Sequence, residues 1–223
     1  MITKYNMPEV FDFNPDQEKE PSIIIKKSTE APESVRQNPF YNKDIWGRAN
    51  SPDDIYLPDS DQAISFAIAA HEIGHLVKAD QGAEAGLDDF EATYQEEQRA
   101  WEKGWQYLKK YLPEYCQESP GAAAEIHEAY EKIRDLMMQA TKLSQDMYLE
   151  KGSLDTLSPE EIQTITKQQR EKFSTTEKGQ EVEAIFEQIK NQKIGQKPNW
   201  DQLVEIVTQA VKEIIADNQK HEE

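Results

Sequence analysis

Hydrophobic positions in this chain take two forms, one dense run and a series of spaced stripes. The run is residues 64–77, ISFAIAAHEIGHLV, in which Ile64, Phe66, Ile68, Ile73, Leu76 and Val77 leave almost no polar face. A helix that is apolar nearly all round is a buried helix, and the pattern predicts one that runs to about Lys78. Asp59 or Ser60 supplies an N-cap, with Gln62 three residues after Asp59 as in a capping box. Ahead of this helix, Asp54-Ile-Tyr-Leu57, closed by Pro58, predicts a short strand. Ser22-Ile-Ile-Ile-Lys26 predicts another, because β-branched residues follow one another there.

The stripes begin with a helix from about Asp89 to Leu112, ended by Pro113. Phe90, Tyr94, Ala100, Trp101, Gly104, Trp105, Leu108 and Leu112 fall along one side of it. Ser119-Pro120 predicts the N-cap and first turn of a helix carrying Ile126, Tyr130, Ile133, Met137, Ala140 and Met147. Ser158-Pro159-Glu160-Glu161 marks another start, with Glu161 in the capping-box position. A further helix is expected from Thr176 to Lys190. The last, after Pro198-Asn199, carries Trp200, Leu203, Val204, Ile206, Val207, Ala210, Val211, Ile214 and Ile215. These faces predict a helical bundle or clasp packed on the preceding part, with Met137, Met138 and Met147 as core filler.

Residues 1–50 carry Pro8, Pro15, Pro21, Pro32 and Pro39 in a polar stretch, and predict an irregular segment that packs on the core or is partly disordered. Phe11, Phe13, Phe40, Tyr41 and Trp46 are its expected docking points. The organisation expected is therefore an N-terminal segment (1–50), a core with the dense helix (51–115) and a helical accessory region (116–223). The fold class is α+β, predominantly α, with one short small sheet.

The dense helix carries chemistry. His71, Glu72 and His75 stand in the H-E-x-x-H arrangement of a zinc hydrolase helix. Residues four apart on a helix are rotated by about 40° from each other, so both imidazoles face one way, with Glu72 beside them. Burying two imidazoles and a carboxylate without partners is costly, and a divalent cation removes that cost. Gly74 lets another backbone or a substrate come close. On the next helix, Glu97 lies within the apolar stripe, between Tyr94 and Trp101, whereas Glu91, Gln95, Gln98 and Glu102 define the solvated face. Glu97 is thus the candidate third ligand, with Glu96, to one side of the stripe, as the rival. One zinc ion per chain is expected. His127, His221 and Cys116 have no such context and are expected to be structural or surface residues.

Composition narrows the partners. A formal net charge of −18 argues against nucleic acid, whose phosphates call for clustered Lys and Arg, and against anionic membranes. A single cysteine, Cys116, excludes a disulfide framework and points to a reducing, cytoplasmic setting. MITKYNMPEVFDFNPDQEKE lacks the basic and apolar regions of a signal peptide, and no run reaches the length of a membrane span.

DIYLPDSDQAISFAIAAHEIGHLV resembles the zincin metallopeptidases, and within them the ImmA/IrrE-like group. There a short strand leads into a helix of the form F-x-x-A-H-E-x-G-H, and a later helix supplies a glutamate ligand. Phe66, Ala70, His71, Glu72, Gly74 and His75 match the first pattern, and EEQRAW resembles the E-x-x-A ligand helix with Glu97 three before Ala100. The resemblance covers residues 50–112. It implies a compact zincin-like core, a protein or peptide substrate, ligands His71, His75 and Glu97, and Glu72 as general base. It also implies a regulatory role, which in that group is cleavage of a transcriptional repressor. Gly104-Trp105-Gln-Tyr-Leu108 stands where the group has an L-M-P-like ending, and the C-terminal helices have no counterpart in it.

The expected function is a zinc-dependent metalloendopeptidase that hydrolyses peptide bonds with a metal-activated water and Glu72 as base. Tyr94 and Tyr56 are candidate oxyanion donors, and Asp88, Asp89 and Glu96 are candidates to hold a ligand imidazole by its other nitrogen. The alternative is a non-catalytic helical interaction protein with a structural or vestigial metal site.

Overall fold

The computed structural model describes residues 22–36, 43–44, 46–58, 63–78, 90–116, 121–147, 157–191 and 199–220. It is mostly helical with one three-stranded sheet. Strand β1 is Ile25–Lys27, β2 is Arg48–Ala49 and β3 is Ile55–Leu57, in the order β1-β3-β2. The central strand is parallel to β1, with Ile25 opposite Ile55, and antiparallel to β2, with Ala49 opposite Ile55. All three residues of β3 are buried, while Lys26, Lys27 and Arg48 sit on the edges, where charge discourages pairing with another chain. The strand β2 was not expected from the sequence. It is two residues long, and its partner is fixed by the turn at Asn50–Asp54, where the Asp54 amide donates to the Ser51 carbonyl at 3.1 Å.

A short helix, α1, spans Glu33–Arg36, and the dense run forms α2, Ala63–His75, directly after β3. The seryl hydroxyl of Ser65 ties the two elements by donating to the Pro58 carbonyl at 3.1 Å. Residues 64–74 are buried throughout, as an all-apolar helix must be. The expected end at Lys78 is too late. After His75 the Leu76 and Val77 amides bond back to Ile73 and Gly74, tightening the chain into a 3₁₀-type turn. The expected cap at Asp59, Ser60 and Gln62 and the loop at 80–89 lie outside the described residues.

Helix α3, Phe90–Leu108, packs along α2 and buries Thr93, Ala100, Trp101, Gly104, Trp105 and Leu108. It ends four residues before the expected Leu112. A prolyl ring in a continuing helix would clash with the carbonyl four residues back, so the chain breaks first, and Pro113 falls in the opening turn of α4, Leu112–Tyr115. Helix α5, Ala122–Leu143, has Gly121 at its N-cap, and the expected start at Ser119-Pro120 lies outside the described residues. Its buried side is the expected one, Ile126, Tyr130, Ile133 and Ala140, with Met137 and Met138 packed partly against the core.

Helices α6, Pro159–Ser174, and α7, Glu177–Lys190, follow, and α8, Trp200–Lys220, ends the described chain. The Ser158–Glu161 capping box forms as expected, with the Ser158 amide donating to Glu161 at 2.8 Å. Thr176 caps α7, and Asn199 exchanges bonds with Gln202 at the start of α8. Helix α7 packs on α5, and α8 packs on both α2 and α3. One cluster of buried residues runs from Ala49 through α2, α3 and α5 to Ile214 on α8. Among the described residues no helix is long and apolar enough to cross a membrane.

Candidate metal centre

Two glycines set the distance between α2 and α3. A Cβ on Gly74 would stand 1.8 Å from the Ala100 carbonyl oxygen, and one on Gly104 would stand 1.7 Å from that of Ala70. Neither position admits a side chain, so the two backbones touch. Glu97, less than one turn before Ala100, is thereby held against the end of α2.

Three donor atoms converge there. His71 Nε2 is 3.3 Å from His75 Nε2 and 3.2 Å from Glu97 Oε2, and His75 Nε2 is 4.0 Å from the same oxygen. Tetrahedral zinc with bonds of about 2.0–2.1 Å places its donors roughly 3.3 Å apart. Two edges of this triangle already have that length, and the third exceeds it by a side-chain adjustment. Two imidazole nitrogens and one carboxylate oxygen, all within 4.8 Å of one another, are a donor set that a divalent cation accepts. The residues therefore fit such an ion.

Of the two rival acids, Glu97 faces the histidines and Glu96 does not join the triangle. Glu96 is bound by Arg99, whose Nε and Nη2 donate to its two oxygens at 2.7 and 2.5 Å. Its Oε1 also lies 3.6 Å from His75 Nδ1, the nitrogen turned away from the triangle. Of the three candidates for holding a ligand imidazole, Glu96 is the one that lies beside an imidazole nitrogen outside the triangle, and Asp88 and Asp89 lie outside the described residues. Burial raises the Glu96 carboxyl, but Arg99 and His75 outweigh it and hold it down at about 2. Burial also works on Glu97, and its hydrogen bond to His71 with the charges of both histidines reverses the effect, leaving its pKa lowered.

Glu72 is only 4% exposed. Its carboxylate accepts from the Ala49 backbone N–H, and its Oε2 is buried with no hydrogen-bond partner. Burial pushes its pKa up to about 7; His75 opposes the shift and Glu97 adds to it. Gly47, just before β2, makes the room: a Cβ there would lie 2.7 Å from Glu72 Cγ and 2.4 Å from Ile68 Cγ2. His71 is stacked on Trp101 with ring centroids 4.5 Å apart, and its Nδ1 is buried without a partner.

The Tyr56 hydroxyl accepts from Lys26 Nζ at 3.3 Å, and the Tyr94 ring leans on Phe90, so the geometry ranks neither as an oxyanion donor. His127 is half exposed and stacks on Trp105, and buried Cys116 is a core residue whose thiol burial pushes up. Sequence reasoning missed Gly47, Ala49 and Arg99. Arg99 had a local signal, since it stands three residues after Glu96 on one helix, the spacing of an ion pair. Gly47 and Ala49 had none, because a strand more than 20 residues upstream meets Glu72 only through the fold. Comparison with family models, curated proteins and solved structures finds no match to this chain.

Proposed function

We propose that this chain is a zinc-dependent endopeptidase with a zincin-like core, similar to the ImmA/IrrE-like metallopeptidases, that hydrolyses a peptide bond in a protein substrate. One observation carries the reading: His71 Nε2, His75 Nε2 and Glu97 Oε2 converge at 3.2–4.0 Å beside a buried carboxylate with an unpartnered oxygen. His71, His75 and Glu97 hold the ion. When bound, zinc supplies Lewis acidity, polarising the scissile carbonyl and lowering the pKa of water toward neutrality.

The chain's own residues do the rest. Glu72, whose Oε2 has no hydrogen-bond partner, takes the proton of the attacking water and returns it to the leaving amine. Ala49 N–H holds the other side of that carboxylate. Glu96, fixed by Arg99, favours a proton on His75 Nδ1 and so directs the Nε2 lone pair to the ion. The net charge of −18 supports a protein partner over nucleic acid, and the single cysteine fits a cytoplasmic setting. A regulatory role rests on the family resemblance alone.

The test combines metal analysis with cleavage. Protein purified without added zinc should hold close to one zinc per chain, lost in His71→Ala, and Glu72→Gln should keep the metal. New N-terminal peptides should accumulate in cells making the wild type and not in cells making Glu72→Gln. Zinc-free wild type would overturn the reading. Zinc retained with identical cleavage patterns would favour the alternative, a helical interaction protein with a structural or vestigial ion.

A further inference from the structure

The second histidine of the motif is the last residue of its helix, which is where a helix frays most readily. Each of the three residues that follow is bonded to another helix. The Leu76 carbonyl accepts from Asn218 Nδ2 at 2.8 Å, the Val77 carbonyl accepts from Arg99 Nη1 at 3.0 Å, and the Lys78 amide donates to Asn218 Oδ1 at 3.1 Å. Asn218 therefore grips the turn with both ends of its amide, one donor and one acceptor, two residues apart. It comes from α8, some 140 residues downstream.

That helix is itself fastened to α3 and to the turn that follows it. Tyr107 donates to Asp217 at 3.1 Å, Tyr111 donates to Glu213 at 3.1 Å, and Lys110 pairs with Glu213. Arg99 closes a ring of contacts, running from His75 to Glu96, to Arg99, to the Val77 carbonyl and back along the chain to His75. The ring fixes the imidazole from α3, and the Asn218 amide fixes the same turn from α8.

We infer that Asn218 is a positioning residue of the metal centre: its two-handed bond to the Leu76–Lys78 turn holds His75 at ligand distance, making the C-terminal helix part of the site. The inference rests on the metal reading above and adds to it a residue that touches no ligand. A freed turn allows His75 Nε2 to move away from His71 and Glu97, so the loss appears first in metal affinity. Residues supporting a ligand from outside contribute about 10–100-fold in affinity, and one acting through the backbone belongs at the lower end.

The experiment uses the full chain as wild type, Asn218→Ala and Asn218→Asp, with His71→Ala as the metal-free control. Zinc affinity is measured by competition with a chelating dye, the ligand field by the visible absorption of the cobalt(II) form, and folding by urea titration in chelator. Asn218→Ala should bind zinc about tenfold more weakly and give an altered cobalt spectrum while still unfolding cooperatively. Asn218→Asp keeps the acceptor for the Lys78 amide and loses the donor to Leu76. It should fall between, and it carries the test if the alanine variant does not fold. Wild-type zinc affinity and cobalt spectrum in both variants would overturn the inference alone. A wild type that binds zinc no better than His71→Ala would overturn the metal reading and this inference with it.

Discussion

Gly74 on α2 and Ala100 on α3 are in backbone contact, so close that a Cβ on the glycine would lie 1.8 Å from the alanine carbonyl oxygen. Gly104 repeats the contact one turn further along, against Ala70 and the Gly74 nitrogen. Since these atoms are main chain, neither position can accommodate a methyl group by a rotamer change; the helices must separate. Gly74→Ala or Gly104→Ala should lower stability by about 3 kcal/mol or more in urea titration, at the upper end for overpacking. Either should also abolish zinc binding, because Glu97 would leave the histidines. Near-wild-type stability with zinc retained would show that the helices have slack.

Gly47 presents a different case. What a Cβ meets there is side chain, Ile68 Cγ2 and the Glu72 chain from Cγ to Oε1, rather than backbone. Gly47→Ala should therefore fold and keep zinc, since it touches no ligand, and should displace the Glu72 carboxylate. The expected result is a fall in peptide cleavage of about tenfold or more at unchanged metal content, the scale of a misplaced proton-transfer group. Loss of zinc in step with activity would instead place Gly47 among the supports of the ligands.

The legible parts of this molecule are those whose cause is local. An apolar run with HEIGH in it predicts both a buried helix and a donor set, and Glu97 stands out because one acid interrupts a stripe of Tyr94, Ala100 and Trp101. Gly74 was readable as a point of close approach, though not as the partner of Ala100. The helix ends were less legible: the turn after His75 is settled by Asn218 and Arg99, which lie on other helices. Strand β2 and Gly47 were illegible for the same reason. Two residues of strand have no period, and Gly47 is needed only because Glu72 packs against it.

The Glu72 carboxyl gives the metal-free protein a pH signature. Its pKa of about 7 stands above the ordinary 4.5 because burial penalises the charge. Between those values the native state binds more protons than the unfolded chain, so this group's contribution is full below about pH 4.5 and is lost as pH rises through 7. The loss is on the order of 3 kcal/mol. Measured in chelator, Glu72→Gln should become more stable relative to wild type by that order between pH 4.5 and pH 7.5. A pH-independent difference would mean that water or a proton partner already compensates the charge.

Trp101 offers a direct optical report on occupancy. It is 1% exposed and stacked on His71, a residue of the candidate metal centre, at 4.5 Å between ring centroids, with the Tyr130 ring tilted against it 6.0 Å away. An imidazole holding a paramagnetic, visibly absorbing ion at that range opens an energy-transfer path for the indole excited state. Cobalt(II) should quench part of the tryptophan emission and reach its end point at one equivalent per chain. Zinc, which has no such absorption, should reverse the quenching as it displaces cobalt. Trp101→Phe should weaken the quenching, by removing the indole nearest the ion, at a stability cost of about 1–3 kcal/mol in this packed core. Quenching undiminished in Trp101→Phe would put the cobalt somewhere other than beside His71.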